Sequence, residues 1–209
     1  MEPADPPPTD DDLLRRAEEG DAGARAALFE RHRDRLRAMI RLRLDRRLGG
    51  RVDPSDVLQE AFLDYARRFD EYAAAPFFVW LRGLAGQRLV DVHRAHLGAQ
   101  ARDAGREVSL YRGALPQASS ASLAQHLLGR LTSPTRAAVR AEMQVRLQEA
   151  LNALDPLDRE VIVLRHFEEL TNAEAAEVLG VQPAAAGKRY VRAFRRLKAA
   201  LDAYPGFFD

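Results

Sequence analysis

The chain has 209 residues, 46% apolar and 30% charged, with 32 basic against 31 acidic side chains and no cysteine. Those figures exclude a disulfide scaffold, a thiolate metal site and a cysteine nucleophile, and no run of about 18 apolar residues offers a membrane-spanning helix. The acidic, proline-rich start from Met1 to Asp12 is the opposite of a secretory signal, so a cytoplasmic protein without a membrane partner is expected.

Apolar residues recur at helical spacing throughout and strand patterns are nearly absent, which predicts an all-α fold. Asp10–Gly20 and Ala22–Leu48 read as a helical pair, with Leu28, Leu36, Ile40 and Leu44 facing inward, before Gly49-Gly50 breaks the chain. Residues 31–51 carry nine arginines against two acids. Asp53-Pro54-Ser55-Asp56 is a helix start: a capping carboxylate, a proline at the first position and an acid where the helix dipole favours one. The helix to about Arg67 has a core stripe at Leu58, Ala61, Phe62 and Tyr65 and a second face at Asp56, Gln59, Glu60 and Leu63. That second face suits either plain solvation or a basic, partly apolar protein surface.

Pro76 interrupts the chain, and a more apolar helix follows from Phe77 to about His96. Tyr72, Phe77, Phe78 and Trp80 stand beside Arg82, Arg88, His93 and Arg94, a mixture that suits unstacked bases and their backbone, although the same aromatics serve equally as core. His93 and His96 are spaced to share a metal, but no third ligand is evident nearby, so no metal site is expected. Residues 98–132 hold Gly98, Gly105, Gly113, Pro116 and Ser119-Ser120 and read as a long interdomain linker with a short helix near Leu123–Leu131.

Ser133-Pro134 restarts the helical pattern as far as about Leu154. Asp155-Pro156-Leu157-Asp158 then repeats the earlier start signal, the chain's one internal echo, and opens a helix to about Phe167. Thr171 and Glu174 form a capping box for a short helix that ends at Gly180. Pro183 opens the last helix, to about Ala203. Short helix, tight turn and longer helix make a helix-turn-helix. Residues 181–201 contain six bases and no acid. Ala186, Tyr190, Phe194, Leu197 and Leu201 should face inward, leaving Ala184, Ala185, Lys188, Arg192 and Arg195, flanked by Arg189 and Arg196, to meet base edges and phosphates in a major groove.

Together these motifs resemble a family. Asp56-Val57-Leu58-Gln59-Glu60-Ala61-Phe62, Phe78-Val79-Trp80-Leu81, Gln87-Arg88-Leu89-Val90-Asp91 and the helix-turn-helix after Leu154–Val161 are similar, in that order, to extracytoplasmic-function sigma factors of bacterial RNA polymerase. The resemblance implies two small helical domains, residues 10–97 and 133–203, joined by the linker 98–132. The first would dock on the clamp of core polymerase through Asp56, Leu58, Gln59, Glu60 and Phe62. It would also read and melt the minus-ten element through Tyr72, Trp80, Arg82, Gln87, Arg88, Asp91 and Arg94. The second would bind the polymerase flap and, through Ala184–Arg196, the minus-thirty-five duplex.

This reading needs no cofactor and no enzymatic activity, and it leaves open an anti-sigma factor as a further partner. The chain departs from the family pattern in three places, one of them the length of the linker. Ala184-Ala185-Ala186-Gly187-Lys188-Arg189 stands where many members have Gly-Thr-Val-Lys-Ser-Arg, and Gln87 replaces the usual asparagine, so promoter sequence does not transfer. The alternative is a stand-alone helix-turn-helix repressor or activator that binds duplex operator DNA.

Overall fold

A computed structural model of the chain describes residues 7–73, 75–97, 115–131 and 137–202. The described residues are helical, with no strand and no helix long and apolar enough to cross a membrane. Short polar caps set the helix limits. Thr9 and Asp12 form a capping box at α1 (Asp10–Glu18), and the Asp21 carboxylate accepts from the Ala24 amide at 3.0 Å to start α2 (Ala22–Arg43). Leu44 is extended, so α2 stops earlier than the apolar spacing predicts, and a 3₁₀ turn over Arg46–Leu48 carries the chain to Gly49-Gly50. Asp53 then accepts from the Ser55 amide at 2.7 Å, Pro54 takes the first position, and α3 (Pro54–Arg68) begins where expected. With α4 (Phe77–Leu97) these helices enclose a core that includes Leu28, Leu36, Ile40, Leu58, Ala61, Tyr65, Leu81 and Leu89.

The second half builds its own core. Here the linker assignment is corrected: α5 (Ser120–Leu131) lies against α6 (Ala137–Asn152), and Leu123, Ala124 and Leu128 are buried with Leu147, Leu151, Val161 and Leu197. From residue 120 the chain is therefore part of a packed unit, because the apolar spacing of Leu123, Ala124, Leu127 and Leu128 outweighs the small polar residues before it. The expected linker up to residue 114 and the Ser133-Pro134 start lie outside the described residues. α7 (Pro156–Ile162) does not continue as α-helix to Phe167, and Val163–Phe167 forms a π turn instead. A capping box of Thr171 and Glu174 opens α8 (Asn172–Leu179), and Gly180 ends it in the left-handed conformation at φ +64°. α9 (Pro183–Asp202) completes the helix-turn-helix.

The halves interlock. Leu164, Leu170 and Ala175 of the second half are buried in the first core, and Leu42 is buried in the second. Between them lies a buried ion cluster. The Glu168 carboxylate accepts from Arg43 Nε and from Arg82 Nε, each at 2.6 Å, and Arg43 also donates to Glu160 and, at 3.2 Å, to the Pro116 carbonyl. Burial alone would push the Glu168 carboxyl up, but the guanidiniums of Arg43 and Arg82 outweigh it and hold the group at about 2.

The Thr171 cap predicts a measurable local contribution. Thr171→Ala removes the hydroxyl that accepts from the Glu174 amide and should cost about 1 kcal/mol. For a chain of this size that lowers the melting temperature by about 2–4 °C in a circular-dichroism melt.

Candidate nucleic-acid interface

Gly180 turns the chain between α8 and α9, and the Asn172 side chain donates to the Pro183 carbonyl at 2.7 Å, fixing the angle at which α9 leaves the turn. A Cβ at Gly187 would sit 3.4 Å from that asparagine, an ordinary contact, so this mid-helix glycine is not forced by crowding. Ala186, Ala193, Leu197 and Leu201 face the core. Tyr190 is half-buried, whereas Phe194, read from the sequence as inward, is exposed. Its ring lies 6.1 Å from that of Tyr190. Ala184, Ala185, Lys188, Arg192, Arg195 and Arg196 are exposed and Arg189 is half-buried, so the expected reading face is presented to solvent. Ala184, Gly187, Lys188, Val191, Arg192, Arg195 and Arg196 line one open groove along the helix.

Asp158 organises that face. It is completely buried, and its carboxylate accepts from Arg189 at 2.9 Å, from Arg192 at 2.9 Å and from Arg196 at 3.3 Å. Burial pushes its carboxyl up, hydrogen bonds from Arg192 and Arg189 pull it down, and the net direction is down. One anion thus orients three cations, leaves them a surplus positive charge, and keeps their outer edges accessible. Lys188 and Arg195 have no ion pair among the described residues, and they are the face's free charges.

α4 divides differently from the sequence expectation. Trp80 is buried in an aromatic cluster, with ring centroids 5.3 Å from Tyr72 and 6.0 Å from both Tyr65 and Phe77. Of the two uses open to the aromatics, core packing describes Trp80 and Phe78. Tyr72 is half-buried and its hydroxyl donates to the Ala75 carbonyl at 2.7 Å. Gln87 accepts from Arg68 at 3.1 Å, Arg88 is paired with the buried Asp64, and Asp91 and Arg94 are exposed. Arg82 is turned away from these residues onto Glu168 and is buried, so in this conformation it touches no nucleic acid. His93 accepts from the Asp45 amide at 3.2 Å, and no cluster of metal-binding type occurs among the described residues.

The acidic face of α3 is as read. Asp56, Gln59, Glu60 and Leu63 are exposed in a row. Leu58, placed by resemblance among the polymerase-binding residues, is instead core, because it falls on the opposite stripe. Phe62 is half-buried, with its ring edge-on to Phe29 at 4.9 Å. Sequence reasoning missed Asp158, Asp64, Arg43 and Glu168 as organising groups. Asp158 carries a signal, standing in the repeated Asp-Pro-x-Asp helix start, but local rules account for it by the helix dipole alone.

Comparisons place this geometry among known proteins. Residues 144–197 match the family model "Sigma-70, region 4". The chain is 27% identical over 190 residues to the ECF RNA polymerase sigma factor SigD of Mycobacterium tuberculosis, covering 90% of this chain and 82% of that protein. It is 28% identical over 198 residues to the RNA polymerase sigma factor NccH of Alcaligenes xylosoxydans xylosoxydans, covering 93% and 96%. A solved structure of CnrH in complex with the cytosolic domain of CnrY superposes with a TM-score of 0.51 at 27% identity, covering 91% of this chain and 96% of that one.

The division between anchored and free cations on α9 gives a test. Lys188→Ala with Arg195→Ala should shallow the slope of log K against log salt for duplex DNA by about 1.8, since each phosphate contact contributes about 0.9. The melting temperature should stay unchanged. A slope equal to that of the unaltered chain would remove both residues from the interface.

Proposed function

The chain belongs to the extracytoplasmic-function group of RNA polymerase sigma factors and directs promoter-specific transcription, and from that premise we propose how its surfaces divide the work. α9 takes the minus-thirty-five duplex, with Ala184, Ala185 and Lys188 nearest the bases and Arg189, Arg192, Arg195 and Arg196 along the phosphates. The single observation that carries this is the exposed cationic face of α9, oriented by Asp158, inside the segment that matches sigma-70 region 4.

α4 takes the minus-ten element through Gln87, Arg88, Asp91 and Arg94, with Tyr72 in the loop before it. Trp80 supports that helix from within, as its burial requires. The exposed row Asp56, Gln59, Glu60 and Leu63, with the open edge of Phe62, meets the polymerase clamp. The unit from residue 120 onward meets the flap. Proteins of this family are in general DNA-binding regulators without catalytic activity, and the proposal needs no cofactor. An anti-sigma factor belongs to the same proposal, since CnrH was solved with the cytosolic domain of CnrY. The stand-alone operator-binding alternative draws no support from these relatives.

The test is transcription in vitro with core polymerase stripped of sigma factor. Adding the chain should produce promoter-dependent run-off transcripts on fragments of its own genome, and absence of both core binding and transcripts would overturn the reading. Asp56→Arg with Glu60→Arg should abolish pull-down of core while the far-ultraviolet spectrum stays the same. Retained pull-down would remove the α3 face from the clamp contact.

A further inference from the structure

Arg43 on α2 and Arg82 on α4 come from the same half of the protein, yet their anion comes from the other half. Glu168 is 1% exposed, Arg43 2% and Arg82 4%, so all three side chains are buried. Each guanidinium puts its Nε on a different oxygen of one carboxylate, at 2.6 Å, and Glu160 is 4.0 Å from Arg82 and hydrogen-bonded to Arg43. Two cations that converge on one point need an anion there, because without it they repel one another in a poorly solvated place. Pairs of guanidiniums bind carboxylate and phosphate alike through paired donors.

The local backbone is built to deliver Glu168. It follows the π turn Val163–Phe167, and the next residue, Glu169, stands at φ +56°, an uncommon conformation for a residue with a side chain. Arg35 on α2 donates to the Glu169 carbonyl at 3.0 Å while its guanidinium lies 3.6 Å over the Phe78 ring. One helical turn beyond Arg82, Gly86 makes a notch in α4, and Leu115 fills it. A Cβ at Gly86 would collide with Leu115 Cδ2. The chain just after that leucine is tied down at both sides, by Arg43 on the Pro116 carbonyl and by Arg159 on Gln117 at 2.7 Å and on Ser120 at 3.2 Å. A guanidinium and a glycine notch at i and i+4 on one helix face form a place where a nucleic-acid backbone can approach closely.

We propose that Arg43 and Arg82 are a phosphate site for a single DNA strand, that Glu168 occupies this site as an internal stand-in, and that the two halves must part before α4 can use it. The proposal rests on the sigma reading only for the ligand being DNA. The Glu168 latch and the Leu115 plug close together, since both sit on the same side of α4. Opening exposes Arg82 on the helix that already carries Gln87, Arg88 and Arg94, with Arg43 of α2 beside it, and an anion that replaces the carboxylate holds the open form. DNA is favoured over an acidic protein because those neighbours on α4 are polar or cationic and the notch admits a backbone.

The absence of cysteine makes the test direct. Ala66→Cys and Glu177→Cys place spin labels on exposed sites of the two halves, and the distance distribution is measured by double electron–electron resonance. A mixed-sequence single-stranded oligonucleotide added to the labelled chain, otherwise unaltered, should move the distribution to longer distances. Glu168→Gln should move it without DNA and should tighten oligonucleotide binding about tenfold if about a tenth of the unaltered chain is open. In the Glu168→Gln background, Arg43→Met should weaken binding and shallow the salt slope by about 0.7, the value for one phosphate of a single strand.

Distances that stay fixed when the oligonucleotide is bound overturn the latch, even if Glu168→Gln fails to fold. An opened molecule whose salt slope ignores Arg43→Met overturns the phosphate site. A shift caused by core polymerase but not by the oligonucleotide assigns the site to a protein carboxylate and overturns the DNA ligand. None of these measurements except the last uses polymerase, so failure of the transcription assay is separable from failure of the latch.

Discussion

One carboxylate decides how the two ends of this protein sit. Glu168 neutralises Arg43 and Arg82 across the joint, and apolar contacts join the halves as well: Leu164, Leu170 and Ala175 in the first core, Leu42 in the second, and Leu115 in the notch at Gly86. The energetics of such a cluster are asymmetric. An intact buried ion group is worth little more than apolar residues of the same shape, but removing one partner costs about 3–5 kcal/mol. The ion cluster is therefore specific rather than adhesive. It selects one arrangement of the halves, and the buried Leu164, Leu170, Ala175 and Leu42 supply the adhesion.

The same device appears at smaller scale under α9. Asp158 holds three arginines in a fixed array at the surface, so part of the order that a DNA-bound helix needs exists before DNA arrives. Freezing long side chains ahead of binding removes part of their entropy cost from the association step. Lys188 and Arg195, which have no ion pair among the described residues, are exposed charges suited to steering and backbone contact. Organised and free cations are thus interspersed along α9.

Much of this was legible in the sequence because it is governed by local rules. Asp53-Pro54, Asp155-Pro156, the Thr171–Glu174 box and Gly180 each start or end a helix within a residue or two of where caps and glycine demand. The exposed acidic row on α3 and the cationic face of α9 follow from helical spacing alone. What could not be read was long-range. The carboxylates of Asp64, Asp158 and Glu168 look like any surface acids until the fold sets Arg88, three α9 arginines, and the Arg43–Arg82 pair against them. Arg82 was misplaced for the same reason: its spacing fits a DNA-facing residue, and only the packing of the second half shows it turned the other way. α5 was half-seen because serine and glycine before it mimic a linker.

These placements also change what the near-zero net charge means. The acids of this chain are used in two ways. Asp56 and Glu60 of α3 stay in solvent, available to another protein. In the acidic stretch 145–180, by contrast, Asp158, Glu160 and Glu168 are consumed by arginines of this same chain. The arginine-rich segment 31–51, which sequence alone leaves without a role, supplies Arg35 and Arg43 to that internal set. A chain that must present cations to DNA, and yet stay folded without it, needs acids of its own in the places that DNA or polymerase will later fill. The balance of 32 bases against 31 acids is consistent with that requirement. Part of that balance is internal, since Asp158, Glu160 and Glu168 already hold arginines of the same chain.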